Sequence, residues 1–124
     1  MRLTWTQFNL ETVDAALSQS HCLYVFHHPD DGDRPFYIGK AKHFGTKQAD
    51  GYKASARYNS GYLHLVVGML RSGFSLYIAP IGEKAFGDAE AYEQELISLW
   101  NPVRTQRTKP KRLAVEATRP WNDG

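Results

Sequence analysis

The chain of 124 residues has one cysteine, Cys22, and that scarcity excludes two ways of holding a small protein together. No intramolecular disulfide can form, and a thiolate zinc cluster has no set of ligands. Cys22 sits in the apolar run Cys22-Leu23-Tyr24-Val25-Phe26 and reads as core. Long hydrophobic stretches are missing too, since no run approaches the roughly 20 residues that cross a bilayer. The opening Met1-Arg2-Leu3-Thr4-Trp5-Thr6-Gln7 lacks the apolar segment of a secretory signal, so a cytoplasmic, non-membrane protein is expected. Charge of one sign does not dominate, the formal net charge being +2. Its distribution says more: most lysines and arginines follow position 33, and Arg104, Arg107, Lys109, Lys111 and Arg112 come with no acidic residue until Glu116.

What is present suffices for one domain. An apolar fraction of 42% with 13% aromatics is ordinary for a globular protein of this length, and neither a repeat nor a dividing linker is visible. Residues 1–8 read as an arm whose Trp5 and Phe8 can pack back. Asn9 is a natural N-cap for a helix over 10–18, where Leu10, Val13, Ala16 and Leu17 form a stripe. Two aromatic and β-branched runs, 22–26 and 36–40, flank the turn-rich His28-Pro29-Asp30-Asp31-Gly32-Asp33-Arg34-Pro35, which predicts a hairpin with a long loop. Gly39, followed by Lys40, Lys42 and His43, suggests a backbone kept clear for a large anionic partner.

After a loop over 41–52, Leu63, Val66, Val67 and Leu70 recur at helical spacing and Gly73 supplies the stop. Residues 74–81 read as a third strand, and Asp88 opens a helix over 89–100 halted by Asn101-Pro102. The order predicts an α+β fold, a small and mainly antiparallel three-stranded sheet with its helices on one face. Residues 1–20 form the arm and a short helix packed on the domain, 21–105 the domain, and 106–124 a basic, flexible tail.

The position with most chemical content is Glu93. At about 100° per residue it falls on the same side as Ala89, Leu96, Ile97 and Trp100, in the middle of an apolar stripe. A carboxylate there must be paired, protonated or bound to a cation. A helix rolled so that Glu93 lies at the edge of the face, pairing with a lysine, satisfies the same pattern. Tyr24 and Tyr37 are most simply core tyrosines, but Lys40 follows Tyr37 by three residues, where an ammonium would favour a phenolate. Arg57, near Asn59-Ser60-Gly61 and a helix start, offers a planar fork of donors for phosphate, or is a solvated surface residue. His64 is a proton carrier, a phosphate contact or a polar helix residue. His27-His28 is a poor metal pair, because adjacent strand residues point to opposite faces.

Leu23-Tyr24, Tyr37-Ile38-Gly39-Lys40-Ala41-Lys42, a later arginine, and Glu93-Gln94-Glu95-Leu96-Ile97 before Pro102 together resemble a GIY-YIG nuclease domain, over about residues 21–105. The resemblance implies a phosphodiester hydrolase with one Mg2+ or Mn2+ ion held by Glu93. It places Tyr24 and Tyr37 at the two motif tyrosines and Arg57 at the site arginine, with Lys47 in reserve and His64 as helper. Cys22-Leu23 stands where the family usually has Gly-Ile. Thr105 stands near the place where many members have an asparagine, and it cannot reproduce an amide.

In this scheme one tyrosine, assisted by Lys40, takes a proton from water while metal and arginine stabilise charge at phosphorus. Lys42, Lys47, Lys53, Arg104, Arg107, Lys109, Lys111 and Arg112 would contact the DNA backbone, single- or double-stranded. A homodimer or partner protein would supply any further recognition. Two alternatives stay open: a nucleic-acid-binding or protein-interaction module that keeps the fold without cleavage, and an RNA-directed nuclease.

Overall fold

Residues 22–27 are all buried, although an antiparallel strand with one wet face would alternate. The computed structural model, which describes residues 1–45, 56–106 and 108–122 and only the backbone of 56–62, gives the reason. This strand, β2 (Ser20–His27), has a neighbour on each edge and packed layers on both faces. β3 (Tyr37–His43) and β4 (Ser75–Pro80) pair with it antiparallel, and β1 (Thr6–Phe8) pairs antiparallel with β4. The described residues thus form an α+β domain around a four-stranded sheet in the order β1, β4, β2, β3.

The fourth strand is a departure from the expected three. Thr6, Gln7 and Phe8 face Ile78, Tyr77 and Leu76, and Phe8 is buried. Three residues are too few for a period-two pattern to register, so the segment read as an arm. The layering departs as well, because helices cover both faces. On the first face Cys22, Tyr24, Phe26, Ala41, Leu76 and Ile78 pack with Ala16 of α1 (Val13–Leu17) and Val66 of α2 (Ala56–Arg71). On the second, Leu23, Val25, Ile38 and Ala79 pack against Leu96, Ile97 and Trp100. Those three belong to α4 (Ala89–Trp100), which follows the short α3 (Gly82–Phe86).

The helix signals act as expected, with two adjustments. Asn9 accepts from the amides of Glu11 and Thr12, while the Thr12 hydroxyl accepts from the Asn9 amide, a reciprocal cap on the turn leading into α1. Helix α2 begins at Ala56 and runs through Asn59-Ser60-Gly61 without a break. It stops at Gly73, whose φ of 94° is left-handed, and Phe74 donates back to the Met69 carbonyl at 3.1 Å. Asp88 holds the N-cap position of α4 but makes no side-chain cap bond.

The C-terminal segment is packed on the domain. The Leu3 amide donates to Glu116 O at 3.0 Å and the Glu116 amide to Met1 O at 2.7 Å, tying both ends of the chain together. Val115, Ala117 and Trp121 lie against the second core. The Trp121 ring is 5.2 Å from Trp100 and stacks at 4.7 Å and 8° on His27. Among the described residues no helix is long and apolar enough to cross a membrane.

Candidate active site

The β2/β3 hairpin sets Tyr24 opposite Gly39. A β-carbon on Gly39 would lie 2.3 Å from Tyr24 Cζ and 2.4 Å from its hydroxyl, distances no folded side chain tolerates. The space above Gly39 is therefore filled by the Tyr24 phenol, and the glycine serves a close approach between neighbouring strands rather than an approaching partner. Phe44 holds the same ring edge-on at 5.0 Å, and Tyr24 is only 3% exposed. Tyr37, on the same face of β3, is half-buried, with its ring 6.2 Å from that of Tyr24. The two tyrosines of the motif are brought together.

A part of the site that sequence reasoning placed elsewhere comes from the chain after α4. Val103 N donates to Pro35 O at 2.8 Å and Arg104 N to Phe36 O at 3.0 Å, so residues 103–106 run beside the outer edge of the hairpin. Gln106 completes the attachment: its Nε2 donates to Ile38 O at 2.7 Å and its Oε1 accepts from Ile38 N at 2.9 Å. A side-chain amide thus does pair with the Tyr37 strand, one residue beyond the exposed Thr105. Arg104, expected as one more tail cation, rests with its guanidinium 5.3 Å from the centre of the Tyr37 ring. Arg34 secures the same junction by donating to the carbonyls of Asn101 at 2.8 Å and Pro102 at 3.1 Å.

Lys40 does not accompany Tyr37. Three residues along a strand reverse the face, and Lys40 pairs in register with Leu23, whose side chain belongs to the α4 side. Its charge is felt by Glu90 in the first turn of α4. The Lys109 ammonium, hydrogen-bonded to Glu90, holds that carboxyl below its ordinary range, and Lys40 adds a smaller attraction against a desolvation that raises it. The expectation that Lys40 favours a Tyr37 phenolate therefore loses its geometric basis.

Glu93 stands where the stripe put it. Ala89, Leu96, Ile97 and Trp100 are buried along the same side of α4 and Glu93 among them is half-buried, but α4 packs on the sheet face opposite the one that carries Tyr24 and Tyr37. Among the described residues no group of three or more histidine, cysteine or acidic side chains is placed to hold a metal ion.

The remaining candidates separate. Lys47, Lys53 and Arg107 lie outside the described residues, and Arg57 is placed by its backbone alone, in the first turn of α2. His64 is exposed, about 200° around the helix from buried Val66. Lys42 and Lys111 are exposed, whereas Lys109 donates its amide to Gln94 Oε1 at 2.7 Å and Arg112 donates to Ser98 Oγ at 2.6 Å, fastening the tail to α4. His27 and His28 diverge as expected of adjacent positions. His27 Nε2 is 2.7 Å from Gly32 O, and His28 Nε2 is 3.3 Å from Ser72 O across the loop. No family model, curated protein or solved structure matches this chain.

Proposed function

We propose that the chain is a metal-dependent endonuclease that hydrolyses DNA phosphodiester bonds, with Tyr24 and Tyr37 on one face of the sheet and Glu93 on α4 as the residues that the motif resemblance assigns to the chemistry. The observation that carries this reading is the Tyr24 phenol laid over Gly39 beside Tyr37. Packing accounts for the glycine, but the half-buried Tyr37 ring leaves one of the two phenols within reach of solvent.

The two hydroxyls suit different tasks. A general base must exchange its proton with water, and Tyr37 is the accessible member of the pair. Tyr24, fixed by Gly39 and Phe44, suits orienting the water or the phosphate. Glu93 is the residue that would hold the divalent ion, Mg2+ or Mn2+. When bound, such an ion neutralises charge developing at phosphorus and on the leaving oxygen. Arg57 in the first turn of α2 remains the arginine that the motif resemblance assigns to phosphate. The cations Lys40, Lys42 and Lys111 would add salt-dependent backbone contacts.

The test is incubation of the purified chain with supercoiled plasmid, single-stranded DNA and an RNA oligomer, each with magnesium, manganese or EDTA. Metal-dependent DNA cleavage is expected. Cleavage of RNA alone would move the substrate to the other nucleic acid. Binding without cleavage under every metal would replace the nuclease by a binding module.

A further inference from the structure

We propose that Arg104 is a phosphate-binding residue of this site, held in place by the ring of Tyr37 rather than by its hydroxyl. The inference rests on the nuclease reading and adds a residue to it. Arg104 opens the basic segment, and composition alone makes it one of several tail cations contacting DNA wherever it passes. The fold gives it a fixed position. Its own amide is bonded to Phe36 O, the preceding amide to Pro35 O, and Gln106 grips both polar groups of the Ile38 peptide. The backbone at 104 is thereby locked beside the first residues of β3.

The side chain is held by a different interaction. The guanidinium carbon lies over the Tyr37 ring at 5.3 Å, a cation–π contact. Guanidinium N–H donors lie in the plane, at the edges, where a phosphate takes two of them at once. Among the described residues no carboxylate forms a salt bridge with Arg104. Other described cations are engaged elsewhere: Arg34 on the Asn101 and Pro102 carbonyls, Lys109 on Glu90, Arg112 on Ser98. Lys40 is on the other face of the strand. Among the described residues Arg104 is thus the cation set over the Tyr37 ring, and it is exposed. A phosphodiester bound there would lie next to the more exposed phenol.

This assigns two separable functions to Tyr37: the ring positions Arg104, and the hydroxyl does the chemistry. Binding of a fluorescent DNA duplex, followed by anisotropy in EDTA over a range of salt concentrations, separates them without cleavage. Arg104→Gln is expected to weaken binding and to lower the slope of log affinity against log salt by about 0.9, one phosphate contact on a duplex. Arg104→Lys keeps the charge but loses the fork, and is expected to keep the slope while weakening binding. Tyr37→Phe keeps the ring and should bind as the wild type does. Tyr37→Leu removes it and should match Arg104→Gln, with the double variant no weaker than either alone.

A wild-type slope in Arg104→Gln would overturn the inference while leaving the nuclease reading intact. So would additive losses from Tyr37→Leu and Arg104→Gln. A wild-type protein that binds no DNA at any salt concentration would overturn both. Matching thermal melts of all variants show that the comparison is between folded proteins, as expected for an exposed arginine and a half-buried ring.

Discussion

The Tyr24 phenol crosses the α-carbon of Gly39 so closely that an added methyl group would sit 2.3 Å from its Cζ atom. Gly39→Ala must therefore displace the ring or the strand. A destabilisation of about 1–3 kcal/mol is expected, the usual cost of overpacking a filled site. Chemical denaturation measures it. In a Tyr24→Leu background the same substitution should cost clearly less, because the clashing atoms are gone. Equal costs in the two backgrounds would mean that Tyr24 is not what excludes alanine.

Gln106 bonds the amide and the carbonyl of Ile38 at once. Gln106→Leu removes two hydrogen bonds and should cost about 1–3 kcal/mol, at about 0.5–1.5 for each. Hydrogen exchange at the Ile38 amide reports it directly: protection should fall there before it falls in β2.

The tail should contribute to stability. Trp121 stacks on His27 and meets Trp100, and Val115 and Ala117 lie on the same core. Trp121→Ala is expected to cost about 2 kcal/mol, less than the roughly 3–5 of a fully buried large aromatic. Removal of residues 113–124 should lower the melting temperature further. An unchanged melt in both would mean that the tail lies against the domain without supporting it.

Glu90, whose carboxyl is depressed chiefly by the hydrogen bond from Lys109, makes a pH-dependent contribution. A depressed carboxyl stabilises above its unfolded pKa, and the contribution is lost as pH falls through the folded value. Glu90→Gln should therefore be slightly less stable than the wild type at neutral pH. The gap should close as the pH drops below about 4, the ordinary carboxylate range, and also in high salt. It is small because both partners are half-exposed. Urea midpoints at two pH values and two salt concentrations check it.

Much of the frame was legible because its signals are local. The Asn9 cap, the helix stop at Gly73, the hairpin and the stripe on α4 each rest on residues close in sequence. Pairing partners were not legible, since β1 joins β4 across about 70 positions and three residues carry no period. The face of Lys40 could have been read from strand alternation, three residues from Tyr37 being the opposite side. A signal for the packed tail was also present. Leu113, Val115 and Ala117 are half-buried while Ala114, Glu116 and Thr118 are exposed, an alternation hidden behind the basic run before it. The place of Arg104 beside Tyr37 and of Gln106 on Ile38 had no sequence signature, because long-range hydrogen bonds put them there.

Glu93 and Tyr37 are proposed to serve chemistry rather than packing. The measurement that bears on this most directly is plasmid nicking with magnesium or manganese by the wild type, Glu93→Gln and Tyr37→Phe, with DNA affinity and thermal melt recorded for each. Both variants are expected to fold and bind DNA while cleavage falls by at least about 100-fold, the lower range for losing a general base. Undiminished cutting by Glu93→Gln would contradict the metal-ligand role, and undiminished cutting by Tyr37→Phe would contradict the assignment of the base.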